Sequence, residues 1–378
     1  MSKMQLVSEN MQEEWQYEKT RKQGAMRSAF HSIGLLVTYQ CNAMCAHCGP
    51  CCGPHEQDWM TLAEIKQLAR QAAEMGARSI ALTGGEPTLL GDNLLEILSF
   101  ARGECKFSSI KMVSNGGWAT SYDAAHQMLR EWQDAGLNEI KISCGEFHQK
   151  QVPLQNVVNA YRAACDLNYH AALLAGEFLK EGAGQYTIRD FQEATGATPF
   201  VPELCSPYVT ESHGFVCSAA MPYGRGANTI RPEDVVCLQE TELTGPCSQL
   251  LSSLTAHPNG SVTACCGVMT REQSLLTVGN WRVQSMRAIW ETTQKDLVLN
   301  WIRYLGLHDM KAWLCRKEPN LHFRSHYASA CDLCAELINH PRCLELLLGW
   351  SKERTGDILA SRLMHEASTL QAQAGKVF

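Results

Sequence analysis

Cys41-Asn42-Ala43-Met44-Cys45-Ala46-His47-Cys48 follows closely on the apolar run Ile33 to Tyr39, and the reading of this stretch decides what fold to expect. Three thiolates at Cys-x3-Cys-x2-Cys spacing can take three corners of a cubane iron–sulfur cluster, which leaves the fourth iron without a protein ligand. A vacant iron lets a small molecule chelate the metal through its own amine and carboxylate. The same triplet also suits a structural zinc knot, or buried thiols that ligate nothing. An apolar strand that empties into such a loop fits a β/α architecture, where the C-terminal ends of the strands carry the site.

Working outward, 378 residues with 45% hydrophobic content can bury a full core. The length exceeds the ~250 residues typical of a β/α barrel, so one barrel with a smaller extension is expected. A formal charge of −6 and a pI near 6.1 give no electrostatic footprint for nucleic acid or an anionic membrane, and neither partner is expected. Eighteen cysteines would imply disulfides in a short secreted protein. Here the first thirty residues are polar, with Glu13, Glu14, Lys19, Arg21 and Lys22, and do not read as a signal peptide. A reduced, cytoplasmic, metal-binding protein is the expectation. No apolar run approaches the ~20 residues of a membrane span.

Along the chain, residues 1–30 read as an amphipathic helical arm. Thr61 and Glu64 form a capping box before Leu62, Ile65, Leu68, Ala69 and Ala72, which share one helix face. Strands are expected at Ile33–Tyr39, Ser79–Leu82, Ile110–Val113, Glu139–Ser143, Ala171–Leu174 and Phe215–Ala219, alternating with helical stretches. The resulting class is α/β: a partial (β/α)6 TIM-like barrel with a smaller C-terminal iron–sulfur extension and a helical tail. The expected boundaries are 1–30 for the arm, 31–235 for the barrel, 236–345 for the extension and 346–378 for the C-terminal helix.

Polar punctuation falls at the strand ends. Thr83-Gly84-Gly85-Glu86-Pro87 follows the second strand, Ser114-Asn115-Gly116-Gly117 the third, and Ser143-Cys144-Gly145-Glu146-Phe147-His148 the fourth. Together with the cysteine triplet, Gly-Gly-Glu-Pro resembles the signature of the radical S-adenosylmethionine (radical SAM) family. The resemblance implies that Cys41, Cys45 and Cys48 hold a [4Fe-4S] cluster and that Gly84, Gly85, Glu86 and Pro87 recognise the amino group of S-adenosylmethionine. It also places Asn115 and Ser143 at the cofactor. Relatives commonly read Ser-x-Asp where this chain has Ser143-Cys144-Gly145, so Glu146 is the candidate substitute for the missing acid. Met221-Pro222-Tyr223-Gly224-Arg225-Gly226 resembles the family's Pro-x-Gly-Arg segment, and Arg225 could meet a carboxylate through two parallel hydrogen bonds or lie on the surface after a turn. Cys51, Cys52, Cys144, Cys205 and Cys217 are either small buried hydrophobes or hydrogen-atom donors to a substrate radical. Cys144, Cys217 and Glu146 are the candidate catalytic residues.

From about Val235 the β/α rhythm stops. Cys247, Gly260 in a hairpin, and Cys265 with four residues intervening are followed much later by Cys331-Asp332-Leu333-Cys334. Four thiolates in this arrangement can saturate an auxiliary [4Fe-4S] cluster or one zinc. The opening half resembles the SPASM extension. The rest lacks the further closely spaced cysteines of a complete one, offers only Cys343, and is nearer the shortened twitch form. Cys266 is an alternative ligand. Met286 to Leu307 reads as helical, and a tail begins at Leu344.

The resemblance implies an enzyme, a radical SAM oxidoreductase, that cleaves S-adenosylmethionine reductively to a 5′-deoxyadenosyl radical and abstracts hydrogen from its substrate. A fully ligated auxiliary cluster suits electron transfer, hence net oxidation, of a ribosomally made peptide. A sugar-like metabolite, oxidised at an alcohol or epimerised, is the alternative, and a non-catalytic metal scaffold is the second. The implied partners are an electron donor such as flavodoxin or ferredoxin and, for a peptide, a separate leader-binding protein.

Overall fold

The computed structural model describes residues 30–200, 213–239, 243–265, 267–268, 271 and 273–374. The expected arm before Phe30, together with Cys205 and Cys266, lies outside them. The strands are β1 (Ser32–Leu36), β2 (Ser79–Thr83), β3 (Ser109–Ser114), β4 (Glu139–Gly145), β5 (Ala171–Phe178), β6 (Pro199–Phe200), β7 (His213–Ala219), β8 (Leu238–Gln239), β9 (Ser253–Ala256), β10 (Ser261–Thr263), β11 (Thr277–Asn280) and β12 (His326–Tyr327). Ten of them form one sheet in the order β11-β10-β9-β1-β2-β3-β4-β5-β7-β6. From β1 to β7 every neighbouring pair is parallel and, β6 apart, chain order equals spatial order. Such a sheet curls one way and keeps helices on its convex side, as in an open barrel.

Local chemistry explains the helices between them. Thr61 accepts from the Glu64 amide at 3.2 Å while the Glu64 carboxylate accepts from the Thr61 amide at 2.8 Å, so the helix Leu62–Glu74 starts where the capping box placed it. Ser121 caps Tyr122–Ala135, and Gly136 ends it in a backbone conformation with φ +125°. The helix Leu154–Asp166 crosses between β4 and β5. Ile188–Thr195, not foreseen in the sequence, starts on a second capping box, Thr187 with Asp190.

Strand periodicity divides the side chains between two faces. Ile33, Leu35, Ile80, Leu82, Ile110, Met112, Ile140, Ile142 and Leu174 are all buried in the core against the helices. Truncating any of these to alanine would cost about 2–5 kcal/mol. The alternate positions Leu36, Thr83, Val113, Ser143 and Glu177 turn to the concave face instead.

The C-terminal region is not a separate body beside the barrel. β9 pairs in parallel with β1, Ser253 opposite Ser32, and the antiparallel strands β10 and β11 extend the same sheet. The boundary expected at residue 236 therefore cuts through continuous hydrogen bonding. The helix read over Met286 to Leu307 is two, Met286–Thr293 and Leu297–Tyr304, because the Asp296 carboxylate accepts from the Leu299 amide at 2.9 Å and starts a new helix. Leu307–Lys317, Ala330–Asn339, Pro341–Trp350 and Thr355–Ala374 complete the helical end. Among the described residues no helix is long and apolar enough to cross a membrane.

Candidate functional site

The loop after β1 is built by close backbone approach. The Gly85 amide donates to Thr38 O at 2.7 Å and the Glu86 amide to Gln40 O at 2.9 Å, just ahead of Cys41. A Cβ on Gly84 would lie 2.4 Å from Thr38 O, and one on Gly85 1.9 Å from Gln40 O. Gly84 moreover has φ +132°. The glycine pair is thus required by contact with the segment that delivers the first cysteine. Glu86 does not face the cavity. It is fully buried, accepting from Thr88 Oγ1 at 2.8 Å, Ser114 Oγ at 2.9 Å and the Asn115 amide at 2.8 Å. Burial pushes its carboxyl up and these bonds pull it down. Its role in the fold is to tie the exit of β2 to that of β3.

Cys41, Cys45 and Cys48 line one cavity together with Gly84, Gly85, Asn115 and Ser143. Donors already aim at the sulfurs: the Ala43 amide at Cys41 Sγ (3.4 Å), Asn115 Nδ2 at Cys41 Sγ (3.6 Å) and the Cys52 amide at Cys48 Sγ (3.2 Å). Hydrogen bonds to sulfur are what cluster thiolates use to tune their electron density. As free thiols, burial pushes Cys41 up to about 11 and Cys45 up to about 12, whereas the Cys52 thiol, donating to Cys48, draws that thiol down to about 7. Among the described residues no group of three or more His, Cys, Asp or Glu side chains is close enough to hold a single metal ion. The donors aimed at Cys41 and Cys48 fit thiolates that carry charge onto a bound metal centre, as in an iron–sulfur cluster.

Two arginines clamp this loop. Arg225 does not offer its guanidinium to a carboxylate in the cavity; it donates to Cys45 O at 2.6 Å and to Cys52 O at 2.7 Å. Arg271, from beyond the hairpin, donates to Pro50 O at 2.6 Å and Cys51 O at 3.1 Å, pairs with Glu56 at 2.6 Å, and lies over the Tyr39 ring. Sequence reasoning missed Arg271 because nothing local marks it.

Of the proposed catalytic residues, none reaches the cavity. Cys144 and Cys217 both flank Gly176, in register on β5, and all three belong to the parity that faces the helices. Burial pushes Cys217 up to about 12 and Cys144 well above its ordinary value. Glu146 turns away and accepts from the Gln185 and Tyr186 amides at 2.6 and 3.1 Å and from Lys150 at 2.7 Å. Burial raises its carboxyl, but these partners outweigh it and hold it below the usual range.

The cavity instead contains four polar side chains that the sequence reading did not select: His47, His148, Glu177 and Tyr223. Glu177 Oε2 lies 3.6 Å from His47 Nε2, with 36% of its side chain open to the cavity. Burial pushes its carboxyl up, against the pull of His148 and Lys141. Burial likewise drives His47 down to about 4 and His148 down to about 3, so both rings are neutral near pH 7. His47 stacks on Phe147, with ring centroids 4.7 Å apart, and its buried Nδ1 has no protein partner. The available signal was Glu177 itself, a lone charge near the end of an apolar strand that runs on to Phe178, four residues beyond the Leu174 at which the sequence reading ended it.

The second cysteine set converges. Cys334 is buried, and its thiol is pushed well above the ordinary value by that burial and by Cys265, Cys331 and Cys247 beside it. The Gly267 amide donates to Cys265 Sγ at 3.2 Å, and a Cβ on Gly267 would lie 3.1 Å from Cys331 Sγ. Cys247 lies ahead of the hairpin, its amide bonded to Ile302 O at 3.1 Å, rather than at the foot of a strand. Cys343 lies in a different place, beside Cys315 and Glu336.

A family model described as the radical SAM superfamily matches residues 35–170, and one described as an iron–sulfur cluster-binding domain, SPASM, matches residues 247–335. Among curated proteins the chain is similar to a GTP 3′,8-cyclase of Haemophilus ducreyi, 29% identical over 176 residues that make up 43% of this chain and 47% of that protein. It is also similar to a GTP 3′,8-cyclase of Haemophilus influenzae, 33% identical over 126 residues, 32% of this chain and 35% of that protein. The chain thus spans less than half the length of these curated relatives. Among solved structures it is similar to anSMEcpe with bound AdoMet and a peptide, at 13% identity and a TM-score of 0.47, covering 87% of this chain and 99% of that one.

Proposed function

From the chain's membership of the radical SAM superfamily, with a SPASM-type extension, we infer an enzyme that cleaves S-adenosylmethionine and oxidises its substrate by one further electron. The family and the extension bring [4Fe-4S] clusters and S-adenosylmethionine with them. In our reading Cys41, Cys45 and Cys48 hold the first cluster, which when bound supplies the electron that breaks the sulfonium bond. Thr83, Gly84 and Gly85 present their backbone to the cofactor from the end of β2, while Ser143 faces it from β4. Glu86 acts from behind, holding that turn in place.

The observation that carries the oxidative reading is the convergence of Cys247, Cys265 and Cys331 on Cys334. Four protein thiolates leave no open iron for a substrate, so electron transfer is the role that remains. Glu177 supports the same reading. A carboxylate facing the cavity can take the proton that must leave when a substrate radical becomes a closed-shell product. The proposed substrate is a ribosomally made peptide, with a sugar-like alcohol second. A flavodoxin- or ferredoxin-class protein is the proposed electron donor, and a separate protein is proposed to present the peptide leader.

Anaerobically reconstituted protein given dithionite and S-adenosylmethionine should release 5′-deoxyadenosine and contain about eight irons per chain, by the two-cubane count. Absence of release while a cluster is demonstrably present would reduce the chain to a metal-binding scaffold. Release with only about four irons would instead leave a single-cluster, redox-neutral enzyme.

A further inference from the structure

The segment Met221–Arg225, which leaves the end of β7, touches both cysteine sets at once. At one end the Arg225 amide donates to Cys48 O at 3.0 Å, and its guanidinium binds Cys45 O and Cys52 O. Gly224, with φ +56°, lies so close to Gly49 that a Cβ would be 2.2 Å from Gly49 O; only a glycine lets the two backbones meet there. At the other end the Tyr223 hydroxyl donates to Gly267 O at 3.1 Å. The amide of the same glycine donates to Cys265 Sγ. Ser329, whose hydroxyl donates to Met221 Sδ at 3.0 Å, caps the helix that carries Cys331 and Cys334. Between these ends the Tyr223 side chain lines the cavity beside Cys48 and Glu177.

We propose that Tyr223 is the positioning residue that couples the reaction cavity to the auxiliary cysteine site, forming a bonded route, Tyr223 to Gly267 to Cys265, for the electron that leaves the substrate. The proposal rests on the two-cluster, oxidative reading above. Hydrogen-atom abstraction leaves a carbon radical, which loses one electron and one proton to become the closed-shell product. The electron reduces the oxidised auxiliary cluster by one, and a one-electron carrier protein removes it afterwards. The proton goes to Glu177. Tyr223 is neither oxidised nor deprotonated in this scheme. It holds Gly267, and therefore the amide aimed at Cys265, in place.

The test is Tyr223→Phe in the full-length, anaerobically reconstituted protein, with both clusters followed by an electron paramagnetic resonance redox titration without substrate. The variant keeps the ring and loses only the hydroxyl bond. Iron content should equal that of the wild type, the signal of the triad cluster should be unchanged, and the auxiliary potential should fall, because a slackened Gly267 amide supports the reduced thiolate less well. With substrate, oxidised product formed per 5′-deoxyadenosine should drop several-fold. An unchanged auxiliary potential and an unchanged ratio would overturn the proposal. So would loss of auxiliary iron from the variant, which would make Tyr223 a purely structural tie. A wild-type count of about four irons would instead remove the two-cluster reading itself, so the two failures are distinguishable.

Discussion

Gly145 and Glu177 are register partners across β4 and β5, and a Cβ on Gly145 would lie 2.5 Å from Glu177 O. The strand that lacks an acid at this level thus lies against one that supplies it, and Glu177 faces the cavity that Glu146 avoids. Glu177→Gln keeps the shape and removes the base, and should lower product formation by about 10²–10⁴-fold. Burial raises the carboxyl, so wild-type activity should climb with pH through a value above the ordinary carboxylate range, and the Gln variant should lose that limb. Stability has the opposite sign: a raised folded value stabilises at low pH and is lost as pH rises through it. The Gln variant should therefore melt no lower than wild type at pH 7. A variant with full activity would show that another group takes the proton.

Replacing Cys331 and Cys334 together should remove about four irons and leave the triad cluster in place. Such protein should still release 5′-deoxyadenosine yet form no oxidised product. Chromatography of both products from one reaction decides it, and oxidised product from the double variant would separate the auxiliary site from the chemistry.

Gly85→Ala forces a methyl to within 1.9 Å of a backbone oxygen, which no side-chain rotation can relieve. The segment before Cys41 must shift, at a cost of about 2–3 kcal/mol, and iron bound by the triad should fall with it. Gly349→Ala is the control: nothing lies within 4 Å of its Cβ, and on a helix the change should be neutral or stabilising by up to about 1 kcal/mol. Equal iron retention in the two variants would sink the close-approach argument.

His257 joins the hairpin to the exit of β1, its Nδ1 bonded to the Tyr39 hydroxyl at 3.1 Å and its Nε2 to Thr263 Oγ1 at 3.2 Å. Burial lowers it from 6.5 to about 4. Between those values the unfolded chain binds the proton and the folded one does not, so stability should decline as pH falls through this window and be insensitive to this group above it. At pH 5 the loss from this one ring is roughly 2 kcal/mol. Urea melts at pH 7 and pH 5 should show His257→Gln losing less than wild type between them; an identical loss would assign the acid sensitivity elsewhere.

How far the sequence could be read depended on range. Thr61 with Glu64, Ser121 with Gly136, and the two cysteine spacings are local patterns, and the structure places the helices and thiols accordingly. Six parallel strands were likewise legible from short β-type runs alternating with helical stretches. Cys144 and Cys217 lie on the other parity: with Ser143 in the cavity, Cys144 must face the helices, because successive strand residues point to opposite sides, and Cys217 shares its level across Gly176. Arg225 binding two carbonyls, Arg271 reaching back to Pro50, and Glu177 standing beside Gly145 depend on pairings between distant segments, for which no short-range pattern exists.

The pairing of β1 with β9 also sets a timetable. Ser32 must wait for Ser253, and at ~5–20 residues per second the ribosome needs roughly 10–40 s to make the intervening chain. For that interval the outer edge of β1 presents unpaired amides and carbonyls next to a nascent cysteine loop, an invitation to the wrong strand. Arg271 and His257, which lock the same loop and strand exit, arrive only with the hairpin. Maturation of the triad site is thereby tied to the synthesis of a distant segment: the first metal loop is not locked until the hairpin bearing His257, and Arg271 beyond it, have been made.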